Sequence, residues 1–270
     1  MLISVIIPCF NSGKTLLKAV LSVKNQVYQP IEIIVVNDGS NEKYTLDVLN
    51  SLENITLHNQ GNRGLPSARN AGINISNGEL LFFLDADDYL DPNALMIMFD
   101  SLRISMADYV YPLLNLVGEK KGIYGNEYSF FTQLFFNRIP YAILIPKKTI
   151  LSVGKYDESM VDGYEDWELN IRLGSNLKFP ILCSKAIMYY NVSSSGMLIS
   201  KTQKKHGFVY SFIVNKHKKL YSFKFLINIL RNSKRKCCQL VLSCLSFYAL
   251  SRILSTRLFS KLYVILRKFY

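Results

Sequence analysis

The fold is decided by the stretch Leu80-Leu81-Phe82-Phe83-Leu84-Asp85-Ala86-Asp87-Asp88, where an apolar, strand-like run ends in three carboxylates within four positions. An uninterrupted apolar run of this length is typical of a strand buried on both faces of a parallel sheet. Open α/β sheets bind ligands beyond the carboxyl ends of such strands, so we expect these carboxylates at a ligand-binding edge. A simpler interpretation stays open, in which the acidic residues cap a following helix that has Pro92 in its first turn.

Two of these carboxylates, Asp85 and Asp87, are two residues apart and project to the same side if the chain stays extended. Like charges that close repel each other unless a cation lies between them, and carboxylate oxygens suit Mg²⁺ or Mn²⁺. A dication held by one or two carboxylates completes its coordination shell with water and substrate phosphates. The sequence therefore predicts a Mg²⁺ or Mn²⁺ site at this pair.

Strand-like and helix-like segments alternate around this stretch, which predicts a mostly parallel, doubly wound α/β sheet. The predicted strands are 2–7, 31–36, 55–58, 80–84, 141–145 and 177–190. The predicted helices are 14–23, 67–75, 130–136, 147–153 and 162–173, together with a polar helix that ends at residue 52. The segment 118–125 is expected to be a surface hairpin or loop.

Polar residues follow three of the predicted strands, at 8–11, 37–40 and 85–88. In a doubly wound fold such strand ends face a common crevice, which is the expected nucleotide site. Neither a G-x-G-x-x-G motif nor a Walker A motif follows the first strand, which argues against dinucleotide binding and P-loop chemistry. A metal ion is therefore expected to neutralise the phosphates.

The charge divides the chain in two. Residues 1–168 contain all 20 Asp and Glu and 13 Lys and Arg, a net charge of −7, whereas residues 169–270 contain 19 Lys and Arg and no acidic residue. This asymmetry indicates an acidic, catalytic-looking part joined to a basic part that binds an anionic surface. We place the boundary near residue 200, with a catalytic domain over 1–200 and a basic, amphipathic helical tail over 201–270.

The tail is predicted to lie on an anionic membrane surface, because it combines basic clusters with Leu-, Ile- and Phe-rich stretches. Its longest uncharged run, Cys237–Ser251, has 15 residues, fewer than the roughly 20 that span a bilayer as a helix. Docking of the tail on the domain or in a dimer interface is the alternative. Nucleic-acid binding is not expected, since no recognised motif accompanies the charge.

The cysteines lack ligand spacing and no signal peptide is visible, so the expected location is the cytoplasmic face of the plasma membrane.

Five segments, spread over residues 2–170, resemble the family-2 inverting glycosyltransferases of the Rossmann-like GT-A fold, in the family's order and at family-like spacing. They are SVIIPCFN (Ser4–Asn11), EIIVVNDGS (Glu32–Ser40), GLPSARNAG (Gly64–Gly72), FLDADD (Phe83–Asp88) and GYEDWE (Gly163–Glu168). The resemblance implies transfer of one sugar from a nucleotide-sugar donor to an acceptor hydroxyl. A lipid-linked glycan in bacterial surface-polysaccharide assembly is the expected acceptor.

The resemblance also assigns nucleotide-binding residues. Asp38 would bind the nucleobase, usually uracil, although an Asx-turn that begins the next helix is the alternative. Arg69 would support the nucleotide side of the crevice or pair with the Asp cluster. Asp85 would lie near the ribose and the metal, and Asp87 would ligate the Mg²⁺ or Mn²⁺ that bridges the donor diphosphate. The complete nucleotide set is Pro8, Phe10, Asn11, Asp38, Arg69, Asn70 and Asp85.

The catalytic base implied by the resemblance is Asp166, whose pKa we expect to be raised by the neighbouring charges of Glu165 and Glu168. Accepting a proton from the sugar hydroxyl is the step for which a carboxylate is needed. The alternative is an acidic helix N-terminus that the helix dipole favours. The residues expected on the acceptor side are Tyr156, Asp157, Glu158, Glu165 and Trp167.

One departure from the family concerns the end of the domain. Many members have Tyr-Arg followed by a His there, whereas this chain has the sequence YYNVSSSG over 189–196. Lys201 and Lys204 are the candidates to replace the missing contact to the diphosphate. Two other functions stay open at this point: a non-catalytic protein that binds sugar nucleotides, and a nucleotidyltransferase, although residues 8–13 are not the phosphate loop of the latter.

Overall fold

The computed structural model describes residues 1–193, 205–232 and 238–266. Its strands are β1 (Ile3–Cys9), β2 (Ile31–Asp38), β3 (Thr56–Gln60), β4 (Leu80–Phe83), β5 (Tyr89–Leu90), β6 (Tyr109–Gly118), β7 (Gly122–Tyr124), β8 (Leu144–Pro146) and β9 (Pro180–Val192). The helices within the catalytic part are α1 (Gly13–Lys24), α2 (Lys43–Ser51), α3 (Leu65–Ile75), α4 (Ala94–Ile104), α5 (Phe130–Gln133), α6 (Lys147–Ser152) and α7 (Glu165–Ser175). The tail forms α8 (His206–Lys216), α9 (Phe223–Asn232), α10 (Cys238–Ile253) and α11 (Thr256–Leu266).

The strands form one mixed sheet in the order β3-β2-β1-β4-β8-β6-β9-β5, with β7 paired to β6. The four strands β3, β2, β1 and β4 are parallel, and β8 joins them in the antiparallel direction. All seven residues of β1 and all four of β4 are buried, because helices cover both faces of a parallel sheet. The predicted α/β class is therefore confirmed, with the parallel half of the sheet carrying the first three polar strand ends.

The second half of the sheet differs in detail from the sequence prediction. The segment 118–125 is the expected hairpin, formed by the antiparallel pair β6 and β7. The predicted strand 141–145 is replaced by the shorter β8 at 144–146, because β4, to which it pairs, has only four residues. The predicted helix 130–136 is shortened to α5, after which Phe135 donates its N–H to the carbonyl oxygen of Thr132 in a tighter turn.

A second apolar core joins the tail to the catalytic part. Trp167 and Ile171 of α7 pack there against Val209, Tyr210 and Ile213 of α8. Side chains from α5, α9, α10 and α11 complete this core: Phe131, Leu226, Cys244, Phe247 and Phe259. The described part of the tail thus packs on the domain on one side, and the boundary near residue 200 stays a prediction.

No helix within the described ranges combines the length and the apolar composition that crossing a membrane requires. The cysteines at positions 9, 183 and 244 are buried and unbridged.

Candidate active site

Two of the three polar strand ends meet directly at the carboxyl edge of the parallel strands. Cys9, the last residue of β1, is paired with Asn37 of β2, and Asn11 then adopts a left-handed conformation with φ of 51°. The side-chain oxygen of Asn11 accepts hydrogen bonds from the N–H groups of Asn41 and Glu42, at 2.9 and 3.1 Å. Asn11 therefore fixes the loop after β2 against the end of β1.

The other two residues of the first motif differ in exposure. Pro8 is buried within β1. The Phe10 side chain is 46% exposed beside the crevice, so its ring is free to stack on a planar ligand. Of the three predicted nucleoside contacts in this segment, Phe10 is thus the most exposed.

Asp38 is buried and bonded to the loop that follows β3. Its Oδ1 atom accepts hydrogen bonds from Gln60 Nε2 at 2.7 Å and from the N–H of Arg63 at 2.9 Å. Its Oδ2 atom accepts one from the N–H of Gly64 at 2.9 Å. A carboxylate has about four lone-pair positions, so Asp38 can hold this loop and still accept one further donor. These contacts join two strand ends and do not form the Asx-turn given as the alternative.

Arg69 occupies the centre of the site and is almost completely buried, with 1% of its side chain exposed. Its guanidinium donates to Asp85 Oδ1 at 2.8 Å and to Glu165 Oε1. The rings of Tyr141 and Tyr156 flank it, with centroids 5.0 and 5.4 Å from Cζ. Buried carboxylates are stable only when paired, so Arg69 holds the strand end at Asp85 and the start of α7 together.

Asn70, the next residue of α3, contacts the segment 156–158. Its side-chain oxygen accepts a hydrogen bond from the N–H of Tyr156 at 3.0 Å, and its Nδ2 atom donates to the Tyr156 carbonyl and to Glu158 Oε1, both at 2.9 Å. Asn70 is buried, and in this structure its polar atoms position a loop that borders the crevice.

The Asp cluster forms a turn, because the extended geometry of β4 does not persist beyond Phe83. The N–H of Asp88 donates to the carbonyl oxygen of Asp85 at 3.1 Å. Asp88 is buried and accepts hydrogen bonds from the Tyr141 hydroxyl and from the N–H of Asn191, the latter at 2.7 Å. The condition of an extended chain is therefore not met, and the turn separates the buried Asp88 from the partly exposed Asp85 and the exposed Asp87.

Asp87 carries the charge that a cation would relieve. Its side chain is exposed, yet desolvation by the surrounding turn and the negative charge of Asp85 raise its pKa to about 6. No group of three or more His, Cys, Asp or Glu residues suited to a metal lies within the described ranges. The neighbouring carboxylates of Asp85 and Asp87 nevertheless fit Mg²⁺ or Mn²⁺. These ions take their remaining ligands from water and phosphates.

Asp166 lies in the first turn of α7 and is partly buried. Its Oδ2 atom accepts a hydrogen bond from Asn137 Nδ2 at 2.8 Å, and its Oδ1 atom accepts one from the N–H of Trp167 at 2.8 Å. Burial raises the pKa of Asp166, and Asp85 adds to the increase, whereas Asn137 and Arg69 oppose it. The direction agrees with our expectation, but burial is the largest cause.

Glu168, expected to raise the pKa of Asp166, instead faces a cluster of cations. It accepts hydrogen bonds from Arg172, Lys216 and His217. Glu165 points to Arg69, and burial is the main reason why its pKa is raised. The negative charge of Asp85 also raises the pKa values of Asp87, Glu165 and Asp166. Arg69, which donates to both Asp85 and Glu165, links the Asp cluster to the start of α7.

The predicted acceptor-side residues separate into two groups. Trp167 is 1% exposed and donates its indole N–H to the Gln133 carbonyl oxygen at 2.6 Å, so it packs in the second core. The role of Trp167 in acceptor binding stays a prediction. The burial of its side chain does not support that role. Asp157 and Glu158 lie on the loop held by Asn70, and Glu158 is exposed.

Two polar residues of the site were not predicted. Asn137 binds Asp166 from a loop 29 residues earlier, and the Tyr141 hydroxyl contacts Asp88 and the N–H of Asp85, the latter at 3.0 Å. Neither stands in one of the five motifs. Lys201 and Lys204, the candidates for the missing phosphate contact, lie outside the described residues.

The comparisons with known proteins agree with this geometry. The family model for glycosyl transferase family 2 matches residues 4–158. The chain is 35% identical over 113 residues to the glycosyltransferase GlyG of Streptococcus pneumoniae, covering 40% of this chain and 38% of that protein. It is 26% identical over 223 residues to the chondroitin synthase of Pasteurella multocida. That match covers 77% of this chain and 22% of the synthase. The matched part is thus well under half of either relative's length.

A third relative is the poly(ribitol-phosphate) beta-N-acetylglucosaminyltransferase TarP of Staphylococcus aureus, 31% identical over 129 residues, covering 45% of this chain and 39% of that protein. Among solved structures, S. aureus TarS 1-349 in complex with UDP-GlcNAc superimposes with a TM-score of 0.63 at 17% identity, over 89% of this chain and 69% of that chain. This likeness shows the shared GT-A fold. Since the family model covers more than half of the sequence, the chain belongs to glycosyl transferase family 2.

Proposed function

We propose that the protein is an inverting, metal-dependent glycosyltransferase that uses Asp166 as its base and a UDP-sugar as its donor. The observation that carries this proposal is the placement of Asp166. It is a partly buried carboxylate of raised pKa, held by Asn137 and next in sequence to Glu165, which Arg69 joins to Asp85. A base beside a site for a charged leaving group is what sugar transfer to a hydroxyl requires.

The donor is assigned to the crevice between the ends of β1, β2 and β4. Phe10 offers an exposed ring to the nucleobase, and Asp38 offers a carboxylate that can accept one more N–H donor. Two TarS structures of the same fold contain UDP and UDP-GlcNAc. That likeness supports a uridine nucleotide here, and it leaves the sugar open.

The diphosphate would lie against Asp85 and Asp87. Mg²⁺ or Mn²⁺ held by these carboxylates would offset the charge on the leaving phosphate. Arg69 already occupies Oδ1 of Asp85, so it fixes the orientation of that carboxylate toward the site. This arrangement would account for two neighbouring carboxylates at a strand end, where Asp85 is partly exposed and Asp87 forms no ion pair with any residue that the structure describes.

In the reaction that we propose, Asp166 accepts the proton of the acceptor hydroxyl. The acceptor oxygen attacks the anomeric carbon as the bond from that carbon to the phosphate oxygen breaks, and the nucleoside diphosphate leaves with the bonding electrons. Attack from the face opposite the leaving group inverts the configuration. Burial of Asp166 makes it more basic, which favours proton transfer near neutral pH.

The acceptor that we propose is a glycan of a surface polysaccharide. The named relatives include a chondroitin synthase and a transferase that acts on poly(ribitol-phosphate), which supports a polymeric acceptor class. Asp157 and Glu158 border the crevice on the side of Asn70, where their polar groups would face the acceptor. The basic tail supports a lipid-linked acceptor, since it would hold the enzyme near a membrane surface.

The test is nucleotide release and sugar transfer with Mn²⁺, in which UDP-, GDP- and dTDP-sugars are scanned against detergent-solubilised lipid-linked acceptors. Wild type is compared with Asp166→Asn and Asp87→Ala, and Asp100→Asn, a surface carboxylate on α4, is the control. We expect metal-dependent UDP release that both site variants abolish and the control preserves. Metal-dependent UDP binding without turnover on any acceptor would instead favour a non-catalytic sugar-nucleotide-binding protein.

A further inference from the structure

Helix α8 has two different faces. Its inner face is buried in the second core through residues that include Val209, Tyr210 and Ile213. On the opposite side, Phe208 and Phe212 lie one helical turn apart, with 60% and 40% of their surface exposed. The fold does not need these two exposed phenylalanines, because the other face of the helix is already buried in the second core. They indicate a surface that contacts another molecule.

Exposed lysines follow this aromatic pair along the chain. Lys218 and Lys219 lie in the turn after α8. Phe223, which is 80% exposed, begins α9 and is followed by the exposed Lys224. Within the described part of the chain these three lysines form no ion pair. We call the set Phe208, Phe212, Lys218, Lys219, Phe223 and Lys224 the α8 surface.

The charge around the α8 surface selects the kind of partner. No acidic residue occurs after Glu168, so the tail has nothing of its own sequence to neutralise these lysines. Phenylalanine rings placed beside lysines suit the boundary of a lipid bilayer, where the rings enter the acyl region and the ammonium groups stay among anionic headgroups. An acidic protein surface would pair with the lysines only. It would leave the exposed phenylalanine rings against polar groups.

We propose that the α8 surface binds the anionic lipid surface of a membrane, with Phe208 and Phe212 inserted at the headgroup boundary. This gives the enzyme a peripheral position, which would be the cytoplasmic face of the plasma membrane. The inference goes beyond the proposed glycosyl transfer and does not depend on it, because vesicle binding is measured without substrates.

The experiment uses the purified full chain and sedimentation with vesicles of phosphatidylglycerol and phosphatidylcholine, or of phosphatidylcholine alone. Two double variants remove the two parts of the surface, Phe208→Ser with Phe212→Ser and Lys218→Glu with Lys219→Glu. We expect binding to anionic vesicles only, and a loss of at least about tenfold in partitioning for each double variant. For the lysines this follows because each cation near the surface contributes about fivefold, and for the phenylalanines because their apolar area is no longer buried at the headgroup boundary. Added salt should weaken the binding.

Matched controls carry the same changes elsewhere. Ile104→Ser with Met106→Ser removes two exposed apolar side chains at the end of α4, and Lys120→Glu with Lys121→Glu reverses two exposed lysines next to the β7 hairpin. Neither control should change vesicle binding by more than about twofold, and near-UV circular dichroism should show that all variants are folded.

Three outcomes would overturn the proposal. The first is equal binding to neutral and anionic vesicles, and the second is loss of binding in the controls as well. The third is a concentration-dependent dimer that the Phe208→Ser and Phe212→Ser changes dissociate, since the α8 surface would then contact a second copy. Because catalysis is not measured, a failed transfer assay leaves this test unaffected.

Discussion

The Glu168→Gln substitution provides a direct test of how the tail is joined to the catalytic helix. Glu168 is fully buried on α7 and accepts hydrogen bonds from Arg172 Nε at 2.8 and 2.9 Å, from Lys216 Nζ at 2.7 Å and from His217 Nε2 at 2.9 Å. Lys216 and His217 belong to the end of α8 and the residue after it. The Glu168 carboxylate therefore connects the end of α8, in the tail, to α7, the helix that contains Asp166.

The size of the effect follows from the pKa of Glu168. Burial alone would raise this pKa, but the bonds from His217, Arg172 and Lys216 lower it from 4.5 to about 2. Each pKa unit corresponds to about 1.4 kcal/mol, so the ionised carboxylate stabilises the fold by about 3 kcal/mol at pH 7. Because the folded pKa lies below the unfolded one, this contribution is complete above about pH 5 and is lost as the pH falls toward 2.

The assay is urea unfolding followed by the fluorescence of Trp167, the only tryptophan of the chain and the neighbour of Glu168. We expect Glu168→Gln to lower the free energy of unfolding by about 3 kcal/mol at pH 7, and by progressively less as the pH falls below 4.5. The control is Glu53→Gln, which changes an exposed glutamate. A loss below about 1 kcal/mol, or one of equal size at pH 7 and pH 3, would refute this reasoning.

Two further predictions concern the buried parts of the site. Arg69→Met leaves the buried Glu165 and the partly exposed Asp85 without this partner and should cost about 3–5 kcal/mol of unfolding free energy, measured by urea unfolding. A cost under 1 kcal/mol would mean that other groups neutralise the two carboxylates. Gly72→Ala would place a Cβ atom 2.4 Å from Ile6 Cγ2, so we expect a loss of about 1–3 kcal/mol from overpacking between α3 and β1. Gly61→Ala, where the added atom meets open space, is the control and should change stability by less than about 0.5 kcal/mol.

The sequence was most informative where local pattern and topology agree. The strand ends after β1, β2 and β4 were expected at one edge, because parallel strands that follow one another along the chain place their carboxyl ends together. The structure has this arrangement, and it also places Arg69 against the Asp cluster, one of the two alternatives considered for that residue. Such features depend on residues inside the strands themselves.

The sequence was least informative where contacts join distant loops. Asn137 reaches Asp166 across 29 residues, and no periodicity marks it. Packing of the tail on the domain was only the alternative to membrane contact, because the tail helices have both an apolar inner face and exposed aromatic residues. Their composition alone does not tell which side packs on the domain. Likewise the turn at Asp85–Asp88 depends on Tyr141, in the loop before β8, and on Asn191 of β9.

The central claim is that Asp166 serves as a base and not as a binding residue, and the most direct measurement separates these roles in one protein preparation. UDP binding to Asp166→Asn in the presence of Mn²⁺ is measured by calorimetry, and sugar transfer is measured on the same sample beside wild type. We predict UDP affinity within about twofold of wild type and transfer reduced by about 10²–10⁴, the usual contribution of a general base. Transfer within tenfold of wild type, or loss of UDP binding together with transfer, would contradict the account.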